Sequence, residues 1–131
     1  MAGVIVLDAS VMIAALGGSD VHHEAARQIL VDSASQRVVA HRMTLAESLV
    51  GAARAGRVAE TSAALDALGI GRVDEPDDPV ELAVLRARSG LRLPDACVLL
   101  AARRDHAGLA TFDRYLADAA RAEGVAVVGA S

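Results

Sequence analysis

The 131-residue chain contains no lysine, and all 13 of its basic side chains are arginine. This excludes chemistry that needs a lysine, the phosphate-binding loop with its terminal Gly-Lys pair included. Tryptophan is absent too, which leaves Phe112 and Tyr115 as the only members of the Phe, Trp and Tyr class. An aromatic platform for successive bases, the usual device of single-strand binders, is not available, so any nucleic-acid role would rest on phosphates and metals. Cys97 is the sole cysteine. No disulfide can form within the chain, which suits a reducing compartment. Within "DACVLLAA" it reads as a small buried hydrophobe. The start of the chain lacks the basic residues and long apolar core of a signal peptide. No apolar run approaches the roughly 20 residues that span a bilayer. The expectation is a cytoplasmic protein with no membrane segment.

The chain is 53% hydrophobic, much of it alanine and valine, with a net charge of -4. Such a chain can bury a real core. Its overall field repels polyanions, unless bound divalent cations or a basic partner reverse the field locally. Strand-like runs fall at 3–7, 37–41, 70–73, 108–111 and 125–129. Helical patterns fall at 9–16, 20–32, 44–56, 58–68, 79–89, 94–105 and 113–122, with Asp20 able to cap the second. The stretch "DEPDDP" at 74–79 reads as a solvated acidic turn. Strands alternating with helices imply βαβ units and a parallel sheet covered on both faces. No linker or repeat interrupts the pattern, so residues 1–131 read as one domain.

Four acids stand at element boundaries, each with an ordinary local role. Asp8 follows the first strand and can cap the next helix, a job Ser10 could share. Thr44 and Glu47 have the spacing of a capping box. Asp95 follows Pro94, which stands at the first helical position, and an acid in the first turn suits the helix dipole. Asp113 follows a strand and can cap the last helix. Taken together they mean more. Asp8, Glu47 and Asp113 each lie where a strand gives way to a helix, and in a parallel sheet all such junctions share one edge. The helix begun by Asp95 feeds a strand, so its start returns to that edge. Open α/β sheets bind ligands there. Converging carboxylates repel one another and need cations to stay ionised together. Hard oxygen donors select Mg²⁺ or Mn²⁺, and such a site suits phosphodiester hydrolysis, with helix N-termini beside the phosphate.

The ordered set "LDASV", "TLAES", "LPDA" and "TFD" resembles the PIN-domain nucleases, and among them the VapC-type toxins of bacterial toxin–antitoxin pairs. The likeness spans nearly the whole chain. It implies a three-layer α/β/α sandwich around a mostly parallel sheet. It also implies an endoribonuclease that uses Mg²⁺ or Mn²⁺, held by Asp8, Glu47, Asp95 and Asp113, with Ser10 and Thr111 in support. The implied partners are RNA, a VapB-like antitoxin and a second copy of the chain, as a homodimer or within a toxin–antitoxin hetero-oligomer. Antitoxin contact is expected on the apolar faces of 9–32 and 44–68.

Without lysine, RNA grip falls to arginine. Arg42, Arg92 and Arg114 are the candidates for phosphate contact, with Arg86 and Arg88 nearby; solvated helix faces are the alternative. His22 and His23 lack the i, i+4 spacing of a helical metal pair and read as helix-start residues. His41 precedes the third helix and could approach the site, while His106 reads as a helix end. Two other functions compete. A catalytically silent PIN-like binding domain would not need all four acids. A phosphatase-like or receiver-like phosphoryl-transfer protein would need a lysine, and the phosphatases place a second Asp where Ser10 stands.

Overall fold

The computed structural model describes residues 3–73 and 76–130. In chain order the elements are β1 (Val4–Leu7), α1 (Ala9–Leu16), α2 (His23–Asp32), β2 (Arg37–His41), α3 (Arg42–Arg54), α4 (Val58–Ala67), β3 (Gly71–Val73), α5 (Pro79–Ser89), α6 (Leu93–Arg104), β4 (Gly108–Thr111), α7 (Arg114–Ala122) and β5 (Val127–Gly129). The strands form one sheet in the order β3-β2-β1-β4-β5. All four pairings are parallel, so the sheet among the described residues is wholly rather than mostly parallel.

Period-two alternation splits the core between the two faces. Ile5, Leu7, Ala40 and Ala110 face one way and pack with Val11, Met12, Ala26, Ile29 and Leu65 of α1, α2 and α4. Val6, Val39 and Leu109 face the other way and pack with Leu85, Leu99, Leu116 and Ala120 of α5, α6 and α7. Helices on both faces of one sheet make the three-layer α/β/α sandwich. Helix α6 is buried without interruption from Ala96 to Ala102, as expected of a helix that is apolar all round.

Several boundaries differ from the sequence reading. Helix α2 starts at His23 rather than at 20; Asp20 still organises the turn, since its Oδ1 accepts from the His22 N–H at 2.8 Å. Leu93, not Pro94, opens α6. The acidic turn is not simply solvated. Residues 74 and 75 lie outside the described residues, but Asp78 caps α5 by accepting from the Val80 N–H. Asp77 turns inward to His41 at 2.8 Å.

The strand order reverses between β1 and β4. From β1 the chain moves outward to β2 and β3, and from β4 it moves the other way to β5. This is the switch point at which open α/β sheets form their ligand crevice. Asp8 follows β1 there and Asp113 lies two residues beyond β4. The Asp8 N–H donates to the Ala110 carbonyl at 2.9 Å, which joins the two strand ends.

Candidate active site

Asp8 occupies the N-cap position of α1, but its side chain caps nothing. Its Oδ2 instead accepts from Ser10 Oγ at 2.8 Å and from Thr111 Oγ1 at 2.9 Å. Each hydroxyl has one proton, and both are spent on that oxygen. The 3.4 Å approach of Ser10 Oγ to Thr111 Oγ1 is then a contact without a proton of its own. The hydroxyl oxygens remain acceptors: Phe112 N–H donates to Ser10 Oγ and Asp113 N–H to Thr111 Oγ1, each at 3.0 Å. Asp8 and Thr111 are buried, and the network fastens the start of α1 to the end of β4. No hydrogen bond among the described residues reaches Asp8 Oδ1.

Asp113 takes the capping role the sequence offered and does so with one oxygen. Its Oδ1 caps α7, accepting from Tyr115 N–H at 2.8 Å and more weakly from Leu116 N–H at 3.4 Å. Its Oδ2 has no hydrogen-bond partner among the described residues.

Glu47 is where the sequence reading needs correction. There is no capping box: β2 runs directly into α3, which starts at Arg42, with His41 as its cap. The imidazole Nδ1 of His41 accepts from the Met43 N–H at 3.0 Å, doing the work expected of a Thr44 hydroxyl. Thr44 is buried inside the helix, and Glu47 lies nearly two turns beyond the cap, exposed and without a protein partner among the described residues. Its local structural explanation is therefore gone.

Asp95 lies in the first turn of α6 and is half-buried. Its carboxyl is raised above the ordinary 3.8, first by burial and then by the negative charge of Asp8. Arg92, with Nε 3.6 Å from Asp95 Oδ2, pulls it back down; Asp113 and Glu47 push it up. One carboxyl thus feels the charge of the other three. The fold brings Asp8, Glu47, Asp95 and Asp113 into one electrostatic neighbourhood, with Ser10 and Thr111 on Asp8. Carboxylate oxygens are hard donors, of the kind that suits a divalent cation such as Mg²⁺ or Mn²⁺ rather than a soft one.

The arginines divide. Arg42 and Arg114 are exposed and have no ion pair among the described residues, and Arg92 is exposed beside Asp95. Arg86 and Arg88 do not join them. Arg86 Nε donates to the Leu91 carbonyl at 3.1 Å. Arg88 forks onto Glu123 at 2.8 and 2.9 Å.

A second donor group lies under α3 and α6: a His41 nitrogen, an Asp77 oxygen and Cys97 Sγ, all within 4.8 Å of one another. It is poorly suited to a metal. His41 Nδ1 is an acceptor for the Met43 N–H, so the ring proton sits on Nε2 and is donated to Asp77 Oδ2. Ligation through Nε2 would require the proton to move and the α3 cap to break. The Cys97 thiol is pushed up to about 11, chiefly by burial and then by the Asp77 carboxylate beside it. A protonated thiol and a committed imidazole make this a polar tie between β2, the β3–α5 connection and α6. Cys97 is buried, as the sequence suggests, and the nearby Asp77 charge was out of reach of a local reading because Asp77 lies 20 residues away in sequence. His23 is likewise structural, with Nδ1 2.8 Å from the Ala14 carbonyl.

The comparisons agree with this architecture. The PIN domain family model matches residues 5–122. Among solved structures, a toxin–antitoxin complex from Klebsiella pneumoniae superposes with a TM-score of 0.69 at 24% identity, covering 83% of this chain and 86% of that one. VapBC2 from Rickettsia felis, bound to a DNA fragment from its promoter, gives 0.67 at 15% identity, covering 95% and 97%. FitAcB from Neisseria gonorrhoeae gives 0.59 at 22%, covering 94% and 95%. No curated protein matches the sequence. The match to the family model over residues 5–122, with the parallel sheet and its acid-lined edge, makes this chain a member of the PIN domain family.

Proposed function

We propose that the protein is a metal-dependent endoribonuclease and the toxin of a toxin–antitoxin pair. The observation that carries the reading is Asp95, half-buried at the switch-point edge, with a carboxyl raised in part by the charges of Asp8, Asp113 and Glu47. Four acids that share one neighbourhood repel one another, Arg92 offsets only part of that charge, and a fold keeps such a cluster where a cation is to be bound. PIN domain membership supports nuclease chemistry. The toxin–antitoxin complexes that share the fold support a VapB-like antitoxin as partner and a cytoplasmic setting.

Asp8, Asp95, Glu47 and Asp113 would hold Mg²⁺ or Mn²⁺. When bound, the ion supplies Lewis acidity at the phosphoryl group and offsets the repulsion among the carboxylates. The protein's own groups do the rest. Ser10 and Thr111 fix the Asp8 carboxylate through Oδ2 and leave Oδ1 for the site. Glu47, exposed and without a hydrogen bond among the described residues, would accept the proton of an attacking water. The N-termini of α1, α6 and α7 and the side chains of Arg42, Arg92 and Arg114 offset the negative charge of the RNA backbone.

The test is induced expression in a bacterium beside Asp8→Ala, with total RNA sequenced for new ends. Growth arrest and discrete new ends from the parent alone are expected. In vitro, cleavage should need Mn²⁺ or Mg²⁺ and stop with chelator. An RNA panel left intact by antitoxin-free protein with Mn²⁺ would overturn the reading.

A further inference from the structure

The single phenylalanine is placed beside the acids. Phe112 directly precedes Asp113, and its N–H is bound to Ser10, which is bound to Asp8. The ring of His22, at the start of α2, stacks on Phe112 with centroids 4.6 Å apart and planes 17° from parallel. Beside this pair lies a cleft of about 220 Å³, lined by His22, Ala25, Phe112, Arg114, Gly129 and Ala130. Gly129 keeps the wall low. Its φ is +104°, and a Cβ there would fall 2.7 Å from the Thr111 carbonyl oxygen, so no side chain can fill the space. Arg114, on the other side of Asp113, lines the same cleft and has no ion pair or hydrogen bond among the described residues.

We propose that this cleft is a nucleotide subsite of the same active site, taking one unpaired base of single-stranded RNA against the His22–Phe112 ring pair and its phosphate at Arg114. The inference rests on the nuclease reading above and adds the residues that would hold the base and its phosphate. A flat, polarizable ring pair and an uncommitted guanidinium, set on either side of an acid of the cluster, match the two ends of a nucleotide. A base inside a duplex cannot reach a ring, so the subsite favours loops and single strands. A chain with so few aromatics offers one stacking position here rather than a continuous platform.

The experiment uses the Asp8→Asn protein, which should not cleave, and a short single-stranded RNA carrying 2-aminopurine, whose fluorescence falls on stacking. Binding should quench the probe. His22→Ala, checked for native folding by its thermal melt, should weaken binding about 5- to 100-fold and abolish the quench, and His22→Tyr should restore both. Arg114→Ala should weaken binding and flatten its salt dependence. The same RNA in duplex form should bind without quenching. RNA binding and quenching unchanged in His22→Ala would overturn the subsite, as would absence of RNA binding. Variants that loosen an antitoxin peptide but not RNA would also overturn it and assign the cleft to protein. Cleavage by the parent protein is scored separately, so the subsite can fail while the nuclease reading stands.

Discussion

Thr111 shows how much one hydroxyl carries at this site. It donates to Asp8, accepts from the Asp113 N–H, and is fully buried between them. Thr111→Val keeps the shape and removes both bonds, leaving Asp8 Oδ2 with Ser10 as its one donor and the Asp113 N–H unmatched. The expected cost is about 1–3 kcal/mol of folding stability in urea unfolding. Mn²⁺ affinity should also fall about 10- to 100-fold, as when the support of a metal ligand is lost. Unchanged metal affinity in a folded Thr111→Val protein would separate Thr111 from the site. Asp95 gives a pH prediction. Its carboxyl is raised in the folded chain, so the native state keeps a proton that the unfolded chain has already lost. That contribution is fully present below the ordinary 3.8 and is lost as pH rises through the raised native value. In chelator, the parent should therefore lose stability as pH rises above about 4 relative to Asp95→Asn, whose side chain cannot ionise. Parallel curves for the two proteins in urea titrations across that range would contradict the shared-charge picture.

Helix α3 shows what an element's start depends on. The expected hydroxyl cap is replaced by an imidazole, and the same ring holds Asp77 through its other nitrogen. Cys97 Sγ, on α6 two residues beyond Asp95, lies within 4.8 Å of the same Asp77 carboxylate. His41→Ala should therefore do more than remove a cap, which alone costs about 1 kcal/mol. It also leaves the half-buried Asp77 short of a donor. A total loss of about 2–4 kcal/mol is expected by urea denaturation; a loss no larger than a cap's would mean that Asp77 finds water in place of His41. The boundaries of α1, α5, α7 and β4 are legible in the sequence because local signals set them: Gly17 and Gly90 as stops, Pro79 as a start, Asp113 as a cap. The start of α3 is not legible in that way. Histidine is a weak capping signal, and its choice of partner depends on residues far along the chain.

At the scale of the whole molecule, the switch point between β1 and β4 decides where the acids meet. The cluster predicts a large response to cations. Saturating Mn²⁺ binds the folded state alone and should stabilise it by about 2.7 kcal/mol at a hundred times the dissociation constant, seen as a rise in melting temperature that chelator reverses. Asp8→Asn should lose that rise. A melting temperature indifferent to Mn²⁺ in the parent would remove the metal from the account. No helix among the described residues is long and apolar enough to cross a membrane.

Read alone, the sequence determined the alternation of strands and helices, the parallel sheet that alternation requires, and the edge on which the four acids fall. These follow from periodicity and chain direction, which are local. It also carried the PIN resemblance in its four ordered motifs. Tertiary structure decided what each acid does with its oxygens. Asp8 spends Oδ2 on Ser10 beside it and on Thr111 from the far end of the chain, Asp113 keeps the oxygen its cap does not use, and Glu47 spends neither among the described residues. The tie from His41 to Asp77, and the ring pair of His22 and Phe112, were beyond local reading for the same reason. Hydrogen bonds and ring contacts depend on distances across space, and residues 36 to 103 positions apart acquire those distances only when the sheet closes its order.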